Sequence, residues 1–150
     1  AITVTGSAEL EQRLFDFQDD VAIVVGPAGR GASIHLENEP MNLYGPNEVD
    51  AESTFALYPG GSRTRHAIDA GLAAAGIDPR VAAESGNPAV LRELCRLTGS
   101  FTVLPEDVAA GSHGLDLVQA TIAVRSVEMV VRDLDSLSPL ATAFVHHLTR

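Results

Sequence analysis

The chain has 150 residues and a formal net charge of −10, with twenty carboxylates set against ten cations. Every cation is arginine, which excludes lysine Schiff-base chemistry and the phosphate-gripping lysine of a Walker loop. The acidic balance repels a phosphate backbone, so the chain by itself is excluded as a DNA-binding surface, and no window reaches the ~18 apolar residues of a membrane helix.

Ile2 to Thr5 alternates apolar and polar residues like a short strand. Gly6-Ser7 follows, with Ser7 as the expected N-cap of a helix that carries Leu10, Leu14 and Phe17 on one face. Asp19-Asp20 ends that helix. Val21 to Val25 is apolar throughout, the pattern of a parallel strand buried on both faces, so the opening predicts a βαβ unit. Gly26 to Gly31 is a loop by composition; it lacks the Lys-Ser/Thr ending and the immediate helix of a nucleotide loop. Ser33 to Asn38 alternates again, Met41 to Tyr44 is apolar, and Gly45-Pro46 ends it.

The stretch from Thr54 to Pro105 is the most informative. Phe55 to Tyr58 is an apolar run that stops at Pro59-Gly60-Gly61, and a helix beginning at Ser62 buries Ile68 and Leu72. Gly76 stands where a left-handed C-cap is wanted. A short strand follows, then a second helix signalled by Asn87 as N-cap and Pro88 in its first turn, with Val90, Leu91, Leu94 and Leu97 as its apolar stripe. Phe101 to Leu104 is a third apolar run. The order β-α-β-α-β with short connectors predicts a parallel sheet, and small ligands bind outside the carboxyl ends of such strands. Beyond it, Pro105 to Ala110 reads as a helical turn and Gly111 to Gly114 as a loop. Leu117 to Val124 and Glu128 to Val131 read as two strands. A last helix is capped by Ser138, with Leu140, Phe144 and Leu148 on one face.

Gly60, Gly61, Ser62, Arg63, Thr64 and His66 form the best candidate site. The glycines let backbone approach a ligand, and the helix N-terminus offers free N–H groups to an anion. The bland alternative is an ordinary strand–helix turn with solvated arginines. Gly6 and Ser7 repeat the geometry at a second helix start, while Gly99, Ser100 and Pro105 are candidates for lining a hinge. Ser62, His66 and Asp69 could be assembled as a hydrolase set, but they fall on one helix without a Gly-x-Ser-x-Gly elbow. His35, Glu37 and Glu39 share a strand face as possible metal ligands, with nothing nearby to complete a site, and no metal or cofactor is expected. His146-His147 reads as surface, and Cys95, the single cysteine, as a buried inert thiol. No signal peptide is visible, so cytoplasm is expected.

Several phrases together resemble the effector-binding domain of LysR-type bacterial transcriptional regulators. They are Ser7-Ala-Glu-Leu-Glu-Gln-Arg-Leu with Asp20-Val-Ala-Ile-Val, Phe55-Ala-Leu-Tyr-Pro-Gly-Gly-Ser-Arg-Thr-Arg with Gly76-Ile-Asp-Pro and Glu84-Ser85, Leu97-Thr-Gly-Ser-Phe-Thr-Val-Leu-Pro105, and the closing Leu137-Ser138-Pro139-Leu-Ala-Thr-Ala-Phe144. Phe101 departs from the family pattern, which usually has the second glycine of its turn there. Measured against that pattern, Ala1 begins at the second strand, so the first strand–helix unit is expected to be missing from this chain.

The resemblance implies an α/β, two-lobed periplasmic-binding-protein-like (type II) fold with mainly parallel sheets. Lobe one is expected at 1–45 plus 115–150 and lobe two at 47–108, with crossings near 45–46 and 109–114. It implies a non-enzymatic sensor whose two helix starts, at Ser7 and Ser62, face one cleft and favour a small, carboxylate-bearing effector. Its expected partners are a second or further copies, as homodimer or homotetramer, and DNA only through a winged helix-turn-helix not in this chain; a membrane is not among them. A stand-alone solute-binding protein and a small hydrolase or transferase are the rival readings.

Overall fold

The computed structural model describes residues 2–110 and 115–148. The chain forms two compact units, Ala1–Asn38 with Ser126–Arg150, and Glu39–Arg125. Four strands are hydrogen-bonded in the order β1 (Val21–Val25), β6 (Asp116–Val131), β2 (Ala32–Gly45), β5 (Thr102–Pro105), and a parallel pair joins β3 (Thr54–Leu57) to β4 (Arg80–Glu84).

In the first unit, Ile2 to Thr5 forms no strand, and Ile2 and Val4 are almost wholly exposed. The expected βαβ opening is therefore replaced by a helix–strand pair. Helix α1 (Ser7–Phe15) has Gly6, not Ser7, as its N-cap residue, and it stops before Phe17, which lies outside at φ 60° with its side chain exposed. Phe17 instead lies under the Arg132 guanidinium, 4.6 Å from the ring centroid. The Arg132 guanidinium also donates to the carbonyl of Leu14 at 2.6 Å, closing the end of α1. Leu14, Ala22, Val24 and Val130 make the small core of this unit.

Strand β1 runs antiparallel to β6, from Val21 opposite Val131 to Val25 opposite Val127. The apolar run predicted a strand covered on both faces. Only Ala22 and Val24 are buried, and Ile23 stays 44% exposed, so one covered face suffices and the antiparallel pairing follows. Strand β2 is likewise antiparallel to β5, from Met41 opposite Pro105 to Tyr44 opposite Thr102. The expectation of mainly parallel sheets is corrected on these pairs and holds for β3 and β4. Two more corrections concern length. Ser33–Asn38 and Met41–Tyr44 are parts of one fourteen-residue strand, β2, and Leu117–Val124 and Glu128–Val131 are parts of one sixteen-residue strand, β6. The units divide inside these strands, at 38/39 and 125/126, and not at Gly45-Pro46; the predicted loop at 111–114 lies outside the described residues.

The second unit follows the β-α-β-α-β pattern closely. β3 is followed by α2 (Arg63–Ala74), β4, α3 (Pro88–Thr98), β5 and the single turn α4 (Glu106–Ala109). Phe101 bridges to Phe55 in parallel sense, with Ala56 N–H donating to the Phe101 carbonyl at 2.9 Å and Phe101 N–H to that of Thr54 at 2.8 Å. β3 is thus flanked by β4 on one side and by the start of β5 on the other. The caps are as the residues predict: Asn87 accepts from Ala89 N–H at 2.9 Å with Pro88 behind it, and Gly76 takes φ 73° beyond α2. Helix α3 buries Leu91 and Cys95, while Leu97 and Val90 are exposed, so the apolar stripe is rotated from the one expected. In the closing helix α5 (Pro139–Leu148), Ser138 accepts from Ala141 N–H at 3.3 Å, but Ala141 is the buried position and Leu140 and Phe144 are exposed.

Inside α2, Gly71 is where the helix meets β6. A Cβ built there collides with the backbone carbonyl of Ile122, an atom that cannot rotate away. Gly71→Ala should therefore lose stability despite the ~1 kcal/mol that alanine gains in helix propensity. A net loss of about 1–3 kcal/mol is expected from overpacking, read as a lower midpoint in thermal or urea unfolding. A more stable variant would mean that α2 does not press on β6 at this point.

Candidate functional site

The second unit gathers its chemistry at the carboxyl ends of β3 and β5. Because these strands are parallel, Tyr58-Pro59-Gly60 and Pro105 leave the sheet at the same end. The connections part here, β3 leading through α2 to β4 on one side while β5 lies on the other, which is the strand-order reversal where ligands bind in open α/β sheets.

Local bonding shapes this end. Ser62 caps α2, its hydroxyl accepting from Arg65 N–H at 3.1 Å. The buried Arg65 guanidinium donates to the Tyr58 carbonyl at 2.9 Å, to Glu84 at 2.9 Å and to Asp69 at 2.7 Å. Gly60 and Gly61 are exposed, and a Cβ at Gly61 would meet nothing within 4 Å. Thr64 is buried, and its hydroxyl accepts from Arg125 at 3.4 Å. Arg63 is half-buried and His66 is exposed.

Arg125 and Glu39 complete the cluster. They form an ion pair, with side chains 18% and 23% exposed. Tyr58, only 5% exposed, has a hydroxyl with no hydrogen-bond partner among the described residues. Burial pushes the Tyr58 phenol above its ordinary pKa, and the neighbouring Arg125 guanidinium pulls the other way. Sequence reading found Thr64 but missed Arg125, Glu39 and Tyr58 as members of the cluster.

Gly6 and Ser7 belong to the first unit, where the Ser7 hydroxyl accepts from Val25 N–H at 3.0 Å and so ties α1 to β1. Gly99 is the left-handed C-cap of α3 at φ 66°. Ser100 is buried just before the amino end of β5, the opposite end from Pro105, roughly 16 Å away at ~3.3 Å per strand residue. Its hydroxyl is bonded to those of Thr54 at 3.0 Å and Thr98 at 2.7 Å. These bonds give Gly99 and Ser100 a structural task.

The alternative chemistries find no support in the geometry. Asp69 is bonded to Arg65, and the Ser62 hydroxyl is spent on the helix cap, so the Ser-His-Asp set is not assembled. Glu39 pairs with Arg125 and His35 lies 3.2 Å from Ser126, and no group of metal ligands forms among the described residues. In the glycine-containing loop, Ala28 N–H donates to Glu128 at 3.1 Å and Gly29 N–H to Glu11 at 3.3 Å. Two carboxylates thus occupy the donors a phosphate would need.

Cys95 lies behind β5 with its thiol donating to the Ser100 carbonyl at 2.5 Å, and burial pushes it up to about 11. At pH 8 about one thiol in a thousand is then ionised, so alkylation by iodoacetamide should be slow and should rise about tenfold per pH unit from 8 to 10. Rapid labelling at neutral pH would place Cys95 in an open, activated setting.

Comparison with known proteins supports the fold reading. The sequence pattern described as the LysR substrate binding domain matches residues 1–150. No curated protein matches the chain significantly. Among solved structures, the regulatory domain of Synechocystis PCC6803 CcmR in complex with 2-PG is similar at a TM-score of 0.76 and 18% identity, covering 99% of this chain and 80% of that one. The apo regulatory domain of HypT from Salmonella typhimurium gives 0.77 and 15%, covering 99% and 80%. Full-length CbnR complexed with its target DNA gives 0.76 and 18%; all of this chain is covered, and it spans 59% of that protein. No helix among the described residues is long and apolar enough to cross a membrane.

Proposed function

Since the chain belongs to the LysR substrate-binding domain family, we propose that it senses a small anionic metabolite and reports its presence to a DNA-binding domain outside this chain. The observation that carries this reading is the carboxyl end of β3. Exposed backbone at Gly60-Gly61, the start of α2 and the Arg125–Thr64–Tyr58 cluster put hydrogen-bond donors in one place. The similar CcmR domain was solved with a small ligand and CbnR with DNA, and both facts favour the same division of labour here. A cytoplasmic protein acting as a homo-oligomer fits this role, and no catalytic step is assigned to it.

Coupling between ligand and DNA-binding heads requires different affinity for two conformations, typically ~1–3 kcal/mol. The reading is tested by a thermal-shift screen of the chain with small carboxylates and amino acids. A true effector at about 100 times its dissociation constant should add ~2.7 kcal/mol of stability. Ser62→Ala should cost about 1 kcal/mol without ligand, through the lost cap of α2. The Ser62→Ala/Arg63→Ala double variant should in addition lose calorimetric affinity for the screened effector. A double variant that binds as tightly as the parent would remove the α2 start from the site. A solute-binding protein would instead show ligand stabilisation with no dependence of DNA binding on ligand in the longer protein.

A further inference from the structure

The cluster at the end of β3 holds more hydrogen-bonding capacity than the chain uses. A guanidinium carries five N–H donors in a fixed fork. Arg125 spends Nε on Glu39 and one further donor on Thr64 at 3.4 Å, a long contact. The Tyr58 hydroxyl beside it is buried and makes no hydrogen bond of ordinary geometry among the described residues, with the Arg125 guanidinium as its nearby donor. Thr64 lies in the first turn of α2, a twelve-residue helix whose first N–H groups have no partners within the helix. An arginine fork, a phenol and a hydroxyl thus share one small region in which Glu39 is the carboxylate paired with the fork and Asp107 is a second carboxylate close enough to act on the Tyr58 phenol.

We propose that Arg125 is the receptor for the effector's anionic group, and that Glu39 holds it in the unliganded chain as an internal stand-in for a ligand carboxylate. The inference rests on the effector-sensing reading above and names the charge partner within it. Carboxylate and phosphate oxygens both match the guanidinium fork in pairs, and one argument selects the carboxylate. Glu39 stays tethered nearby after displacement, so a ligand with one negative charge meets less repulsion than a doubly charged phosphate. Tyr58 and Thr64 then offer a phenol and a hydroxyl to a second polar group of the ligand, such as a hydroxyl or carbonyl next to the carboxylate.

The exchange also has a structural meaning. Glu39 is the first residue of the second unit and Arg125 its last, on β2 and β6 respectively. The ion pair ties these two strands together at the points where each leaves the unit. Replacing Glu39 by a free carboxylate removes this side-chain link and leaves the hydrogen bonding between the two strands in place.

The test uses acetate and inorganic phosphate as probes on the 150-residue chain, followed through the Arg125 Nε–H signal in nitrogen-15 NMR, with Arg125→Lys identifying the signal. Acetate should shift that signal in the parent and bind about tenfold more tightly to Glu39→Gln, which removes the internal competitor at constant shape. Phosphate should bind more weakly than acetate to both. Arg125→Gln should abolish acetate binding, and Arg125→Lys, which keeps the charge without the fork, should weaken it. Equal acetate affinity in the parent and Glu39→Gln would overturn the proposal, as would acetate binding that survives Arg125→Gln. If Arg125→Gln fails to fold, the Glu39→Gln comparison decides alone. A screened effector that stabilises the chain while Glu39→Gln and the parent bind acetate equally would leave the sensing role standing and remove Arg125 from it. A screen without any stabilising ligand would instead strike at the sensing role.

Discussion

The end of β3 keeps its shape through one buried cation. Arg65 donates to the Tyr58 carbonyl, to Glu84 at the end of β4 and to Asp69 one turn along its own helix. A buried guanidinium with partners missing is costly, so these three contacts stand or fall together. With Arg65 fixed, Tyr58 cannot swing out of the core and the turn through Gly60-Gly61 must enter α2 in one direction. The open backbone of that turn therefore rests on the contacts Arg65 makes at the ends of β3 and β4.

Much of the second unit was legible because its signals are local. Asn87-Pro88, Ser62 and Gly76 each specify a helix boundary through the backbone of two or three neighbours, and the structure uses all three. Strand direction was not legible in the same way. Val21 to Val25 is apolar enough for either a fully covered or a half-covered strand, and its pairing with β6 depends on residues more than a hundred positions away. Ile2 to Thr5 alternates correctly and still forms no strand, because alternation shows suitability for a sheet and supplies no partner strand. The candidate site divides along the same line. Its Ser62 cap and glycines lie in one phrase, whereas Glu39 and Arg125 are 86 residues apart and gave no mutual signal.

Phe101, which departs from the glycine usual in the resembling family, has a physical explanation here. Its ring stacks on Phe55 with centroids 5.5 Å apart and occupies the space above Gly45, where any Cβ would collide with it. The volume absent at position 45 is thus supplied from position 101. Phe55, Phe101 and the bridge between them also join β3 to β5, so the same exchange of volume anchors the sheet end that carries the candidate site.

The first unit handles its surface differently. β1 ends the strand order with β6 as its one partner among the described residues, and Ile23 points outward beside that open margin. Unpaired strand margins with apolar side chains template stacking between molecules. The surplus of carboxylates works against such stacking through mutual repulsion, since every molecule bears the same sign. Colloidal stability of this chain is therefore set by salt and acidity as much as by folding: buffers that screen or protonate its acids favour flocculation even where each molecule remains intact.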